Sequence, residues 1–333
     1  MNPSQVILQH LETHQIPAVA WASGQIDNLK FGCTGRLWHT EDAPATILET
    51  VFDLASLTKV LVTVPLLLKL IGAGKLDPNA PLLEALPEIR GLPLENATVM
   101  QLVSHTAGLE ALSPLRTWKL PRETALLTTL EMPRPNNGIV YSDQGFLVLT
   151  YLLEKIFEDR LDAVATRELF APHGINLMYT PDSRLCAATE IDQNGKLIIG
   201  RVHDENTVAL GGVSGHAGLF GNLLEVCKYM NALMTGQVIS FRLLEIMQQA
   251  VAKETHDARA FGWLIAHKNW LGGQNAPPDT LGHTGFTGTG IWFSLQTGQC
   301  NVLLSNRVCP SRETPNDIAG LRRKFNQAAW LST

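Results

Sequence analysis

Sequence patterns typical of β-strands cluster near the two ends of the 333-residue chain, and this arrangement constrains the fold most strongly. These patterns lie at residues 18–23, 29–34, 260–267, 290–295 and 301–306. The first two are separated by a predicted turn at 24–28, and the last two by a predicted hairpin turn at 296–299. We therefore expect one sheet assembled from both termini.

The middle of the chain is dominated by apolar spacings typical of helices. Predicted helices occupy residues 3–14, 54–70, 98–104, 122–130, 144–157, 161–169, 223–234, 241–250 and 314–330, and residues 197–201 show a short strand pattern. We expect an α/β sheet domain formed by residues 1–58 plus 251–333. Residues 59–250 would form a helical domain, and the active site would lie between the two within a single structural unit.

Composition limits the class of ligand. The chain is 45% hydrophobic and 17% charged, with a formal net charge of -5. This balance gives no support for a nucleic-acid partner or an anionic membrane surface, so a small molecule or a peptide is the expected partner. The five cysteines show no CxxC spacing and are odd in number, which favours free thiols over a zinc site or disulfides.

The first residues lack the basic and continuous apolar regions of a signal peptide. The longest apolar run, at 60–71, contains Lys69 and is too short to span a bilayer. We therefore expect a cytoplasmic protein without a membrane segment, or a periplasmic one if a leader has been trimmed.

The segment "FDLASLTKV" places Lys59 three residues after Ser56 in a predicted buried helix. Residues three apart lie on the same helix face, about 5–6 Å apart at Cβ. Burial lowers the pKa of a lysine, which would make Lys59 a proton acceptor for a serine nucleophile. The alternative is an N-capping serine beside a solvated lysine.

Two further motifs follow in order, namely Tyr141-Ser142-Asp143 and His283-Thr284-Gly285. With the segments "TVMQLVSHTAGL", "VHDENTVALGGVSGHAGLFG" and "GHTGFTGTG", they span nearly the whole chain. The set resembles the class C branch of the serine β-lactamase-like superfamily, which includes class C β-lactamases, DD-peptidases and serine esterases. The resemblance implies the β-lactamase/DD-peptidase-like fold, with an antiparallel sheet flanked by helices and an inserted helical domain.

The resemblance also implies roles for individual residues. Ser56 would be the acylated nucleophile, and Lys59 would take its proton or hold the network that does. Tyr141 would carry the proton to the leaving group, although Ser142 fits the same role in a second registration of the motif. Asp143 stands where asparagine is usual, and an ionised carboxylate cannot donate a hydrogen bond to a substrate amide.

The third motif would bind substrate through His283, Thr284, Gly285 and Phe286. His283 replaces the usual lysine and is mostly uncharged near neutral pH, which weakens the case for a bound substrate carboxylate. The backbone N–H groups of Ser56 and Phe286 would form the oxyanion hole. Glycines 285, 288 and 290 fit a strand edge that a ligand approaches closely.

No cofactor or metal is expected. His203, Asp204, Glu205 and His216 lack a metal-binding motif and are expected to hold their loop by hydrogen bonds. The chain is thus expected to be a serine hydrolase that forms an acyl-enzyme from a small ester, an amide or a cell-wall peptide fragment. A periplasmic DD-carboxypeptidase or β-lactamase is the alternative, followed by a penicillin-binding sensor with little turnover.

Overall fold

An antiparallel sheet of eight strands is the centre of the computed structural model, which describes residues 1–254, 257–267 and 270–332. The strands in chain order are β1 (Ala18–Gln25), β2 (Asn28–Gly35), β3 (Phe52–Asp53), β4 (Phe220–Gly221), β5 (Ala252–Lys253), β6 (Ala258–Arg259), β7 (Leu264–Ile265), β8 (Leu281–Thr284), β9 (Gly290–Phe293) and β10 (Gln299–Ser305). The sheet order is β2-β1-β10-β9-β8-β7-β6-β5, while β3 and β4 pair separately. The predicted sheet from both termini is confirmed, because β1 pairs with β10.

Helices account for most of the remaining regular structure. They are α1 (Pro3–Leu11), α2 (Val64–Gly72), α3 (Leu82–Ala85), α4 (Val99–Val103), α5 (Arg122–Thr128), α6 (Asp143–Phe157), α7 (Leu161–Ala165), α8 (Glu205–Ala209), α9 (Leu223–Met234), α10 (Phe241–Gln248) and α11 (Ile318–Ala329). π-Helical segments at Lys59–Thr63 and Thr166–Phe170 continue into or out of α-helices. Within the described ranges, no helix is both long and apolar enough to cross a membrane.

Successive side chains of β1 point to opposite faces of the sheet, and both faces are buried. Ala18, Ala20 and Ala22 join the main core, whereas Val19 and Trp21 join a second core with α1 and α11. Helix α9 lies in the predicted helical domain, but it contacts β1 and β10. The main core runs continuously from the sheet into the helical region, so the two parts share one hydrophobic interior.

Several predicted boundaries are wrong. The pattern at 260–267 is interrupted by a turn at 260–263, so β6 and β7 flank it as two short strands. Residues 197–201 contribute only the bridge between Ile191 and Leu197. The helix predicted at 54–70 begins after Ser56, and its first part is the π-helical segment Lys59–Thr63. Pro65 has no N–H to donate, and this loss favours an irregular start.

Arg322 on α11 holds the loop between β8 and β9. Its Nη2 donates to the carbonyl oxygens of Gly285 at 2.7 Å and Thr289 at 2.8 Å. The side chain is buried, and burial lowers the pKa of Arg322 to about 9, which leaves it charged at neutral pH. Two otherwise buried carbonyls therefore receive a charged donor.

Arg322→Met should lower the free energy of unfolding by about 2 kcal/mol, because both carbonyls lose their charged donor and keep only the backbone N–H groups of Gly288 and Gly285. Urea denaturation would measure this loss, with Arg323→Met, at the exposed neighbouring position, as the matched control. Equal stability of the two variants would mean that Arg322 does not hold the loop.

Candidate active site

Ser56 lies in a tight turn between β3 and the π-helical segment. The preceding residue, Ala55, has a φ of 47°, which is unusual for a residue with a side chain. Asp53 stabilises this turn, since its buried carboxylate accepts from the N–H groups of Ala55 and His203, each at 2.8 Å. Burial raises the pKa of Asp53 to about 6 despite these hydrogen bonds. No sequence motif had singled out Asp53.

The loop after β8 packs directly against the Ser56 turn. Thr287 Oγ1 donates to the carbonyl of Asp53 at 2.7 Å, and Thr289 Oγ1 donates to that of Leu54 at 3.1 Å. A Cβ on Gly285 would lie 2.6 Å from the Leu54 oxygen and 2.2 Å from Thr289 Oγ1. Gly285 is therefore required by close packing within the protein, while its expected role in the approach of a ligand stays a prediction.

The other two glycines of this motif are required by neighbouring side chains in the same way. A Cβ on Gly288, whose φ is 116°, would meet Ser305 Oγ at 2.0 Å, and one on Gly290 would meet the Trp292 ring at 2.3 Å. These three positions shape the sheet edge that carries Phe286.

Lys59 is fully buried and joins three parts of the site. Its Nζ lies 3.0 Å from Ser56 Oγ, 2.7 Å from Asp143 Oδ1 and 3.3 Å from the His216 carbonyl oxygen. Burial opposes the ammonium charge, but the Asp143 carboxylate and the Tyr141 phenol outweigh it and raise the pKa of Lys59. The lowered pKa expected from the apolar surroundings alone is wrong, because the sequence did not reveal the partner carboxylate.

Tyr141 and Ser142 have different environments. Tyr141 lines the cleft beside Ser56, and its ring centroid lies 5.0 Å from Lys59 Nζ. Ser142 is buried and caps α6, where its Oγ accepts from the Gly145 N–H at 3.3 Å and donates to the Glu110 carbonyl at 2.6 Å. Both hydrogen-bonding directions of Ser142 are thus engaged within the fold, which favours Tyr141 as the proton carrier.

Two backbone amides of the predicted oxyanion hole have no hydrogen-bond acceptor within the described part of the chain. They belong to Ser56 and Phe286, both of which line the cleft. Thr284 precedes this loop and pairs with Gly290 at the end of β8. Free N–H donors at this edge can stabilise an oxyanion on a carbonyl attacked by Ser56.

His283 is buried inside β8 and lines the cleft. Neither ring nitrogen has a hydrogen-bond partner among the described residues. Burial, reinforced by the charges of Lys59 and Arg259, holds the pKa of His283 well below its usual value. His283 is therefore neutral, as the sequence predicted.

Arg259 on β6 supplies a cation that the sequence reading missed. It is only 4% exposed, lines the cleft and lies 5.5 Å from the Tyr141 ring centroid. Its Nη2 donates to Asp257 at 2.7 Å, whereas Nε and Nη1 have no partner in residues 1–254, 257–267 and 270–332. Arg259 belongs to no recognised motif, and only the antiparallel pairing of β6 with β7, and of β7 with β8, brings it here.

His105 completes this corner of the cleft. Its ring lies 4.5 Å from that of Tyr141, and Nδ1 accepts from the Ser142 N–H at 3.1 Å. Burial and the nearby cations Arg259 and Lys59 keep the pKa of His105 well below its ordinary value. Two neutral imidazoles and one buried guanidinium thus surround Tyr141.

The histidines of the loop after residue 202 form hydrogen bonds, as predicted. His203 Nε2 lies 2.8 Å from Glu190, and His216 Nε2 lies 2.8 Å from Asp204. Asp143, Asp204 and His216 come close enough to share an ion. In this structure, however, Asp143 already pairs with Lys59.

These residues line a cleft of about 930 Å³. It contains Ser56, Tyr141, Asp143 and the predicted substrate-binding residues His283, Thr284, Gly285 and Phe286. Lys59 lies beneath it in hydrogen-bond contact with Ser56. The arrangement provides a serine hydroxyl, a buried cation, a phenol and two free amides, which together suit acyl transfer.

A family model described as Beta-lactamase matches residues 4–323. A protein of Salmonella paratyphi A, provisionally named D-alanyl-D-alanine carboxypeptidase, is 28% identical over 349 residues. That alignment covers 92% of this chain and 79% of the Salmonella protein.

Two solved structures share the fold. EstCE1, described as a hydrolase with promiscuous acyltransferase activity, superposes with a TM-score of 0.78 at 19% identity and covers 98% of this chain and 97% of its own. A class C beta lactamase from Rhodobacter sphaeroides gives a TM-score of 0.76 at 16% identity, with 98% and 97% covered. Both likenesses support the predicted fold class.

Asp143→Asn should lower the free energy of unfolding by about 3 kcal/mol at pH 7, because the buried Lys59 ammonium loses its counter-charge. Asp143 raises the pKa of Lys59 in the folded protein above the unfolded value of 10.5. The ion pair therefore gives its full stabilisation below pH 10.5, and this stabilisation is lost as the pH rises through the pKa of the folded protein. In the variant, burial without the Asp143 carboxylate lowers the pKa of Lys59 below 10.5, so the unpaired ammonium loses its charge and the stability deficit narrows as the pH approaches 10.5.

Urea denaturation at pH 7 and pH 9.5 would measure both effects, with the exposed Asp27→Asn as control. The double variant Lys59→Met/Asp143→Asn should recover part of the loss, because no unpaired charge is then buried. A single variant as stable as the wild type would rule out a structural role for the ion pair.

Proposed function

Because the chain belongs to the beta-lactamase family and is a serine hydrolase, we propose that it hydrolyses an ester or peptide bond whose departing part carries a carboxylate. The observation that carries this proposal is the buried guanidinium of Arg259, which lies beside Tyr141 and whose Nε and Nη1 have no partner among the residues that the structure describes. Tyr141 is the proposed proton donor to the leaving group, so an anion bound at Arg259 would belong to the departing part.

This proposal favours carboxypeptidase-type chemistry, which was the alternative on sequence, over the first-ranked reading of a small ester, an amide or a cell-wall peptide fragment. The neutral His283 had argued against a bound carboxylate, but Arg259 provides a planar donor suited to one. The provisional name of the Salmonella relative, D-alanyl-D-alanine carboxypeptidase, agrees with a substrate that ends in a carboxylate.

In the proposed mechanism, Ser56 Oγ attacks the substrate carbonyl and the amides of Ser56 and Phe286 stabilise the oxyanion. The bond to the leaving group breaks, and the proton lost by Ser56 passes through Tyr141 to the leaving atom. Water then attacks the acyl-enzyme and releases Ser56. With a raised pKa, Lys59 acts as the charged donor that holds Ser56 and Tyr141 in place, which is the second of its two expected roles.

The substrate proposal can be tested with two thioesters of one N-acyl-D-alanine. One releases mercaptoacetate, and the other releases its neutral amide. Wild type should favour the carboxylate by roughly 100-fold in kcat/KM, and Arg259→Met should lose this preference while it still cleaves the neutral thioester. Equal slowing of both reactions would instead make Arg259 a positioning residue for Tyr141.

Intact-mass measurements test whether Ser56 forms an acyl-enzyme, independently of the preference for a carboxylate in the leaving group. Wild type should show an acyl adduct on Ser56 that disappears with turnover, whereas Ser56→Ala should show none. An adduct that persists without product release would favour the sensor alternative.

Tyr141→Phe should lower kcat/KM for the neutral thioester by roughly 10²–10⁴-fold, because the proton carrier is lost. Ser142→Ala should change the rate by less than about tenfold, although it removes a helix cap and costs about 1 kcal/mol of stability. Steady-state kinetics and urea denaturation of both variants test this pair. A larger rate loss for Ser142→Ala would restore the second registration of the motif.

A further inference from the structure

His10 is a buried histidine whose hydrogen-bonding capacity is unused. It is 3% exposed, on the face of α1 that packs against α11. Neither of its ring nitrogens has a partner among the residues that the structure describes. A buried imidazole without partners is costly, so this position calls for a ligand or a water.

Two further metal-binding side chains lie beside it. One nitrogen each of His10 and His14 and one carboxylate oxygen of Asp317 lie within 4.8 Å of one another. From these contacts we propose that His10, His14 and Asp317 form a site for a divalent transition-metal ion of the Zn²⁺ type, which joins the first helix of the chain to the last. Two imidazoles and one carboxylate form a donor set that Zn²⁺ accepts, with a fourth position for water.

Neighbouring groups orient His14 and Asp317 for metal binding, and burial keeps His10 neutral. His14 Nδ1 lies 3.2 Å from the His10 carbonyl oxygen and 2.8 Å from Thr13 Oγ1, so Nδ1–H can donate there and leave the lone pair of Nε2 free. Asp317 Oδ1 accepts from the Gly320 N–H at 2.8 Å, which fixes the carboxylate at the start of α11. Burial, aided by His14, lowers the pKa of His10 and maintains the neutral form that binds metals.

The three ligand atoms must move slightly toward one another to bind an ion. Tetrahedral Zn²⁺ with bonds near 2.1 Å separates its ligand atoms by about 3.4 Å, so the three atoms must close by at most about 1.4 Å. The rings of His10 and His14 are stacked with centroids 4.1 Å apart, and the His14 ring must turn out of this stack. His14 follows the end of α1 and is only half-buried, so it has room to do so. Lys324 is the nearby cation that opposes binding.

The full-length protein should bind one Zn²⁺ by titration calorimetry, and Co²⁺ should give the visible spectrum of a tetrahedral site. Zn²⁺ at about 100 times its Kd should raise Tm by about 5 °C. His14→Ala and Asp317→Asn should each weaken binding by at least about tenfold and remove the Tm shift. Asparagine at 317 retains the helix cap, so a folding defect is not expected there.

His173→Ala serves as the matched histidine control and should bind like the wild type. Asp204→Asn tests the other cluster that could hold an ion, at Asp143, Asp204 and His216. Binding that survives in His14→Ala and Asp317→Asn but is lost in Asp204→Asn would overturn the proposal. An absence of Zn²⁺ binding to the wild-type protein would overturn it equally.

Discussion

The architecture of the site depends on one buried ammonium group. Lys59 has no exposed surface, so its charge is stable only if oxygen atoms surround it. Those atoms come from the Ser56 turn, from the start of α6 at Asp143 and from the loop carbonyl of His216. These three segments are distant in sequence, and the need to solvate one charge fixes their mutual positions.

The same charge sets the electrostatics of the cleft. Lys59 and Arg259 both disfavour protonation of His105 and His283, which burial already disfavours. The two imidazoles therefore stay neutral and compete with neither cation for an anion. Substitution of histidine for the usual lysine does not remove positive charge from this region, because Arg259 contributes it from another strand. The motif alone does not reveal that the positive charge of this region comes from Arg259.

Much of the fold and part of the site could be predicted from sequence. Strand patterns near both termini predicted one sheet built from both ends of the chain, and the three motifs placed Ser56, Tyr141 and His283 in one cleft. Roles that depend on tertiary contact could not be predicted. The Lys59–Asp143 pair reverses the expected pKa shift of Lys59. Arg259 and Arg322 lie outside any motif, and Asp53 lies within the first motif but had no role assigned to it. Gly285 was identified, but the reason for a glycine there is its contact with the Ser56 turn.

The position of β1 between β2 and β10 has a consequence for how the chain folds during synthesis. Val19 pairs with Ser305, so the inner edge of the β1–β2 hairpin cannot be covered until the last strand has left the ribosome. Until then, an apolar strand edge is open to pairing with other chains. The nascent protein must therefore delay completion of its sheet, and a chain that stops before β10 would retain an aggregation-prone edge.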